Sequence, residues 1–341
     1  MIIPFFLPQM GCLQKCIFCN AQLLADHVSE IDEKNFVAKV NEYLKTLKNP
    51  SEENEIAFYG ANFTNIEQHY QKQLLTWANR FIVAGSVASI RISTRADYVS
   101  QSIIDMLKLH GVKTVEVGAQ SLSDMVLSAS GRMHTAHDVS VAIALLKKNE
   151  LKTSLHLMVG LPSDNKEIFF QSVEKAICMR PDAVRIHPTI VFDGTVLSDL
   201  YKQGVYIPLT LETAIKLCKE ATSRFLNAGI KVIRIGLQLT ESMGGEKAII
   251  AGPYHPSFGS LVYEGLVFDK IDNLLKKNPH DNKQITILCS QKDFAFITKN
   301  RAKFISIFNL QDIRVAADSS RTRGSVEIIP FLNQKMSSGR G

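Results

Sequence analysis

The feature of this 341-residue sequence that most constrains the fold is a regular alternation of short β-like runs with helix-length segments, up to about residue 236. The helical patterns include residues 136–148 and 211–228. Strand–helix alternation of this length predicts parallel strands joined by right-handed crossovers. We expect an α/β fold, either a full or partial (β/α) barrel or an open doubly wound sheet. Apolar and β-branched runs predict seven strands, at 3–7, 55–59, 89–93, 114–118, 153–159, 183–187 and 231–235.

The pattern changes after Gly236. The segment 252–259 (GPYHPSFG) is typical of an ordered loop, and a helix over 260–277 and a strand over 285–289 are predicted after it. We therefore predict a barrel over residues 1–238 and a small α+β extension over residues 239–341, with a frayed tail at 335–341.

Positive charge is concentrated at the end of the chain. Residues 270–341 contain 13 Lys and Arg and 6 Asp and Glu, which gives a net charge of +7. The rest of the chain contains 26 Lys and Arg and 27 Asp and Glu, which gives a net charge of −1. Such asymmetry can mark a surface for nucleic acid or another polyanion. A solvated face with a loose tail is the alternative interpretation.

The composition excludes several classes of protein. A chain that is 45% hydrophobic and 21% charged is neither disordered nor fibrous. It has no apolar run of about 18 residues, and its first ten residues lack the positive region of a signal peptide. We expect a cytoplasmic protein with no membrane partner.

Three of the six cysteines form a cluster. Cys12, Cys16 and Cys19 have the spacing C-x3-C-x2-C and follow the first predicted strand, at the strand end where barrel enzymes build active sites. Structural zinc normally takes four protein ligands, and His27 is the nearest imidazole. An iron–sulfur cluster on three cysteines leaves one iron open. We favour this cluster, with zinc or unligated thiols as alternatives. The remaining cysteines, Cys178, Cys218 and Cys289, are expected to be small buried hydrophobic residues.

The segment 11–20 (GCLQKCIFCN), with Phe18 before the last cysteine, resembles the signature loop of radical S-adenosylmethionine (SAM) enzymes. The resemblance implies a partial (β/α)6-type radical SAM barrel with a 4Fe–4S cluster on Cys12, Cys16 and Cys19 and with SAM at its mouth. An external one-electron reductant would reduce the cluster. Cleavage of SAM would then yield methionine and a 5′-deoxyadenosyl radical that takes a hydrogen atom from the substrate.

Further stretches are similar to the branch that contains the catalytic subunit of Elongator and the oxygen-independent coproporphyrinogen dehydrogenases. They are 58–64 (FYGANFT), 92–97 (ISTRAD), 115–121 (VEVGAQS), 156–162 (HLMVGLP) and 185–189 (RIHPT). The family usually has a second glycine at Ala61 and Thr or Glu at Asn62, so the hydrogen-bonding detail there differs. The resemblance implies that SAM contacts Gly60, Ala61, Asn62, Ser93, Arg95, Gln120, Ser121, Arg132, Met158 and Gly160.

Four residues are candidates for substrate chemistry. Arg185 and His187 lie near the end of the sixth strand, and we expect them on alternating faces, with one of them pointing into the barrel. Tyr254 and His255 are expected to form a lid or to donate a proton near the radical.

We predict a radical SAM enzyme whose substrate is unassigned. Only about 105 residues follow the barrel, fewer than the roughly 150 that an acetyltransferase domain needs, so the carboxymethyl chemistry of Elongator is not expected. A further hypothesis is that RNA, such as tRNA, docks on the basic C-terminal region. The alternatives are a tetrapyrrole-type oxidoreductase and a non-catalytic Fe–S or SAM-binding regulator.

Overall fold

The computed structural model describes residues 1–7, 10–13, 15–19, 31–46, 54–237, 239, 245–277 and 284–330. Asn20 and His27, named above, lie outside the described residues, as does the predicted frayed tail. The chain divides into two compact units, Met1–Pro256 and a second unit from Ser257 onward.

The first unit is built on a seven-stranded, entirely parallel sheet in the order β1-β2-β3-β4-β5-β6-β8. This order follows the sequence without the reversal that defines a doubly wound sheet, so the doubly wound alternative is wrong. The curled sheet is the predicted partial barrel. Its strands are β1 (Ile2–Phe6), β2 (Glu55–Tyr59), β3 (Ser89–Thr94), β4 (Val112–Gln120), β5 (Lys152–Val159), β6 (Ala183–Pro188) and β8 (Lys231–Ile235).

Helices connect successive strands of the sheet. Side-chain caps define several of their starts; Thr135, for example, forms a capping box with Asp138, and Thr210 accepts a hydrogen bond from the N–H of Thr213. The helices are α1 (Glu33–Lys45), α2 (Gln68–Val83), α3 (Gln101–Leu109), α4 (Asp124–Ala129), α5 (Ala136–Lys148), α6 (Lys166–Met179), α7 (Val196–Lys202) and α8 (Leu211–Asn227).

The two faces of the sheet differ sharply in polarity. One face carries fully buried aliphatic residues such as Ile56, Val115 and Ile186. The other face lines the barrel lumen and carries charged or polar residues at alternate positions, among them Glu116 and Arg185. The side-chain period of two therefore separates a dry core from a polar lumen.

The second unit is a small α+β structure, as predicted. It contains α9 (Phe258–Lys277), β10 (Gln284–Cys289), α10 (Gln291–Lys299), α11 (Arg301–Phe308), β11 (Asp312–Ala317) and β12 (Val326–Pro330). Strand β10 lies in the middle, parallel to β11 and antiparallel to β12. Its core includes Ile285, Ile287 and Phe304.

The division between the units falls later than residue 238, where the sequence pattern changes. Strand β7 (Val191–Phe192) pairs with β9 (Ile249–Ala251) in an antiparallel ladder. Because this ladder ties β9 to the barrel, the first unit extends to Pro256.

Candidate functional site

The cysteine loop follows β1 at the carboxyl end of the parallel sheet. Cys12 and Cys19 are exposed, Cys16 is half-buried, and all three are free thiols. The N–H of Cys19 donates to the carbonyl of Cys16 at 3.0 Å, so the last two cysteines lie on one tight turn. The three thiols are therefore presented from one short segment.

Backbone hydrogen bonds fix this loop to two other parts of the barrel. The N–H of Ile17 donates to the carbonyl of Ser130 at 3.2 Å, and its carbonyl accepts from the N–H of Leu197 at 2.9 Å. Ile17 and Phe18 also pack against a cluster that includes Val191 and Leu197. The loop is thus held between the segment after β4 and the start of α7.

Gly11 permits a close backbone approach at the start of the loop. Its φ is +73°, and a Cβ there would lie 2.3 Å from the carbonyl oxygen of Asn62. The side-chain amides of Asn62 and Asn65 donate to the carbonyl of Gly11 at 3.2 and 2.8 Å. Only glycine combines this conformation with this contact.

Asn62 joins the loops that follow β1, β2 and β3. Its Oδ1 accepts from Thr94 Oγ1 at 2.7 Å and from the N–H of Arg95 at 3.1 Å, while its Nδ2 donates to Gly11. Its N–H donates to the carbonyl of Met10 at 2.9 Å. This buried side chain is therefore committed to the scaffold, whereas the neighbouring Gly60 is exposed and Ala61 half-buried.

Arg132 connects the cysteine loop to the end of β4. Its Nη1 donates to Cys16 Sγ at 3.2 Å and its Nη2 donates to the carbonyl of Gly118. Its Nε is buried and makes no hydrogen bond within the described part of the chain. The guanidinium thus places a positive charge and an N–H donor directly beside the Cys16 sulfur.

The other predicted SAM contacts occupy different environments. Arg95 forms a two-point ion pair with Asp97, at 3.0 and 2.7 Å. Ser121 accepts from the N–H of Ser123 and lies 3.4 Å from Ser172 on α6, away from the lumen.

Gln120 has a φ of +64° and a buried Oε1 without a hydrogen bond among the described residues. Both backbone polar groups of Gly160 are used, since its N–H donates to Asp164 and its carbonyl accepts from Tyr206. Ser93 and Met158 are half-buried, at positions of β3 and β5 that face the lumen.

Glu116 is the centre of a charged network inside the barrel that the sequence analysis missed. Its carboxylate accepts from Arg91 Nη1 at 3.0 Å, Arg185 Nη1 at 2.7 Å and the Tyr59 hydroxyl at 3.1 Å. Arg91 also donates to Glu55 at 2.6 and 2.9 Å. Charged residues at alternate positions of otherwise apolar strands are the signal that could have revealed this network.

Arg185 and His187 both face the lumen, so the prediction that they lie on alternating faces is wrong. Residues two apart in a strand point to the same side of the sheet. The His187 ring lies edge-on to that of His156, with centroids 4.3 Å apart. Burial and the Arg185 charge lower the pKa of His156 to about 3, and burial, His156 and Arg185 lower the pKa of His187 well below 6.5.

Tyr254 lies in the loop after β9. It packs with Ile190 and Phe192, and burial, the charge of Glu246 and a hydrogen bond to that residue raise the pKa of its hydroxyl. The part of Tyr254 and His255 in the reaction stays a prediction. Among the solitary cysteines, Cys218 and Cys289 are buried as expected, whereas the expectation for Cys178 is wrong: it is exposed in the last turn of α6.

Two family models match the chain. Residues 6–176 match the Radical SAM superfamily, and residues 181–267 match the Radical_SAM C-terminal domain. The chain belongs to the radical SAM superfamily. Membership indicates an enzyme that cleaves SAM, and the superfamily generally uses a 4Fe–4S cluster together with SAM.

This radical SAM protein is similar to two curated proteins, one of which is named for an activity on tRNA. It is 32% identical over 176 residues to the tRNA uridine(34) acetyltransferase of Methanocaldococcus jannaschii, covering 51% of this chain and 31% of that protein. It is 31% identical over 155 residues to Elongator complex protein 3 of Saccharomyces cerevisiae, which covers 44% of this chain and 26% of that protein. The chain thus spans about a third or less of these relatives.

The fold of this radical SAM protein matches a solved structure. The archaeal Methanocaldococcus infernus Elp3 superposes with a TM-score of 0.64 at 24% identity, covering 79% of this chain and 63% of that chain. The match supports the barrel. No helix in the described ranges has the length and apolarity to cross a bilayer.

The cysteine loop suits a radical SAM cluster in its donor set. Three thiols from one loop leave room for a further ligand on a cubane cluster. Within the described residues, no three Cys, His, Asp or Glu side chains converge closely enough to hold a metal ion.

Proposed function

We propose that this protein is a radical SAM enzyme in which Cys12, Cys16 and Cys19 hold a 4Fe–4S cluster at the mouth of the barrel. The observation that carries the proposal is the hydrogen bond between Arg132 and Cys16, because it ties the cysteine loop to the carboxyl end of β4. The loop therefore stands directly above the polar lumen, where a cofactor and a substrate can meet.

When bound, a cluster and SAM would supply radical chemistry once an external reductant provides one electron. The chain contributes the surroundings. Gly60 and Ala61 are accessible, so their backbone is available to the amino group of SAM. The buried Nε of Arg132, which lacks a hydrogen bond in the described structure, suits the SAM carboxylate. Met158 lines the lumen and suits the adenine.

The lumen residues define the chemistry of the substrate group. The Nε2 atoms of His156 and His187 and the Nε of Arg185 are buried without hydrogen bonds to described residues. Both imidazoles are neutral near pH 7 because burial lowers their pKa. Together these groups favour a polar substrate group that satisfies them, such as a carbonyl or an amide, since a buried unsatisfied nitrogen is costly.

An RNA substrate, such as a tRNA, fits two independent observations. Two relatives that are 32% identical over 176 residues are named tRNA uridine(34) acetyltransferase. The end of the chain carries a net charge of +7, which favours a polyanion. The proposed substrate class is therefore RNA, and the atom attacked is left to experiment.

The test is anaerobic reconstitution with iron and sulfide, followed by reduction, addition of SAM and quantification of 5′-deoxyadenosine, with and without a bulk tRNA pool. Cys16→Ser should abolish 5′-deoxyadenosine because it removes a cluster ligand. Cys178→Ser is the matched control, since Cys178 is exposed outside the cysteine loop, and it should keep full activity.

The outcomes separate the parts of the proposal. A yield that rises with tRNA supports the RNA substrate. An equal yield from the Cys16→Ser and wild-type proteins would refute the cluster assignment.

A further inference from the structure

The second unit contains an open cavity of about 640 Å³ that lies outside the barrel site. Residues of α9, α10, α11 and the loop before β12 line it. Its volume is in the range of small-molecule sites, about 300–1,000 Å³. The matched Radical_SAM C-terminal domain ends at residue 267, so most of the cavity lining lies beyond the family match.

Aromatic rings form one wall of the cavity. Phe268 and Phe296 are half-buried, so part of each ring is accessible. Behind them, the buried Phe304 stacks on Phe268 with ring centroids 5.6 Å apart and meets Phe296 edge-on at 6.2 Å. The accessible rings are therefore held rigidly by the core and offer preformed surfaces for a planar ligand.

Basic side chains surround this aromatic wall. Lys292, Lys299 and Lys303 are exposed, and Arg323 completes four positive charges against the two carboxylates of Asp293 and Glu264, a net charge of +2. A local positive excess beside apolar rings favours a ligand that is both planar and anionic.

Arg323 is fixed in place by its neighbours. Its guanidinium lies over the Tyr263 ring, 4.3 Å from the centroid, and its Nη2 donates to Ser260 Oγ at 3.3 Å. The buried Asp293 lies 3.8 Å from its Nε and also accepts from the N–H of Gly324 at 2.7 Å. The loop that carries Arg323 is thus pinned to α10, and the guanidinium is preorganised for an anion.

We propose that this cavity binds a nucleotide, with the base against Phe268 and Phe296 and the phosphate among Lys299, Lys303 and Arg323. The nucleotide is either free or an unpaired residue of single-stranded RNA. The inference deepens the proposed RNA partner, but it rests on the second unit alone and needs neither the cluster nor SAM cleavage.

The test measures binding of a fluorescein-labelled, single-stranded RNA decamer by anisotropy, with uridine monophosphate as an unlabelled competitor. The pocket variant Lys299→Gln/Lys303→Gln is compared with the control Lys276→Gln/Lys277→Gln, which removes the same charge from exposed positions of the same unit. The pocket variant should bind at least about tenfold more weakly than the control, and the slope of log K against log salt concentration should fall by about 1.4, since each lysine contributes about 0.7 on a single strand.

A second variant tests the aromatic wall without altering charge. Phe296→Leu retains an apolar side chain but removes the stacking surface, which should raise Kd about 5- to 100-fold. The far-ultraviolet circular dichroism of each variant checks folding. Because Lys299 and Lys303 are exposed, their variant decides the question even if Phe296→Leu misfolds.

Competition by the free monophosphate identifies a free nucleotide as a ligand, and binding of the decamer alone identifies RNA. Either result supports the cavity site if the pocket variants bind the same ligand more weakly than the control variant does. Decamer binding that is equal in the pocket and control variants would overturn the nucleotide site and leave the RNA partner standing. A wild-type protein that binds neither probe would overturn both the nucleotide site and the RNA partner. The production of 5′-deoxyadenosine would still show whether the protein is a radical SAM enzyme.

Discussion

At the scale of single residues, the position of the cysteine loop depends on the contacts of Gly11, Asn62 and Arg132. Gly11 meets the backbone of Asn62, and Asn62 in turn uses its whole amide to connect three strand ends. Arg132 extends this set of connections to Cys16. The loop that carries the cysteines is therefore positioned by backbone and amide contacts together with one contact to the Cys16 thiol.

Gly11→Ala is expected to destabilise the protein more than the left-handed conformation alone explains. The added Cβ would lie 2.3 Å from the carbonyl oxygen of Asn62, so the cysteine loop must shift. Gly85→Ala is the matched control because Gly85 has a φ of +71° and a Cβ added there would meet nothing within 4 Å. We expect a loss of about 1 kcal/mol for the control and at least about 2 kcal/mol more for Gly11→Ala.

Urea unfolding and the iron content after reconstitution measure these effects. Equal losses of stability in the Gly11→Ala and Gly85→Ala proteins would contradict the close contact between Gly11 and Asn62.

At the scale of secondary-structure elements, the strands of the barrel have one apolar face and one charged face. Their outer face is apolar, whereas their inner face joins β2, β3, β4 and β6 through charge pairs that converge on Glu116. Tyr59 and Arg185 stack beside this carboxylate, 5.2 Å from ring centroid to guanidinium carbon. The network sets the orientation of Arg185 below the cysteine loop, so it links the stability of the barrel to the geometry of the lumen.

Glu116→Gln is expected to lower the free energy of unfolding by about 3 kcal/mol. The substitution removes the charge that two half-buried guanidiniums share, and an uncompensated charge inside a protein is costly. Glu174→Gln is the control, since Glu174 pairs with Arg224 at the surface with 55% and 37% of the two side chains exposed. The control should lose less than about 1 kcal/mol.

Chemical denaturation at pH 7 gives both values. A Glu116→Gln protein as stable as the Glu174→Gln protein would show that the network does not stabilise the barrel.

At the scale of the whole molecule, three histidines make stability depend on pH: His134 is buried, and His156 and His187 are half-buried. Burial lowers the pKa of His134 to about 4 and that of His156 to about 3, and the pKa of His187 also lies well below 6.5. Their folded-state pKa values lie below the unfolded value, so the unfolded chain binds more protons in acid. Stability is therefore complete above about pH 6.5 and is lost as the pH falls below it.

We expect the cluster-free protein to be less stable at pH 5 than at pH 7. Each histidine contributes a loss of up to about 2 kcal/mol. Burial raises the pKa of Asp164 to about 6. The folded protein therefore binds this proton more readily than the unfolded chain, which stabilises the fold at pH 5 relative to pH 7 by about 1 kcal/mol. Urea unfolding at the two pH values measures the difference, and His134→Gln should reduce it. Stability that rises as the pH is lowered to 5 would contradict the burial of the imidazoles.

The sequence by itself determined the elements and the cysteine loop. Strand and helix positions follow from local periodicity, and the predicted strands at 55–59 and 231–235 have the bounds of β2 and β8. Cys12, Cys16 and Cys19, the proposed cluster ligands, lie within eight residues of one another, so their proximity also follows from the sequence alone. The motifs that follow successive strands indicated the family for the same local reason.

Only the tertiary structure decided which side chains meet. Glu116 and Arg185 are 69 residues apart, and Arg132 and Cys16 are 116 apart, so their contacts exist only because parallel strands bring their ends to one edge. The cavity of the second unit likewise needs α9, α10 and the loop of Arg323 to assemble. Local patterns encode strands and helices, whereas the packing of distant elements creates the lumen and the pocket.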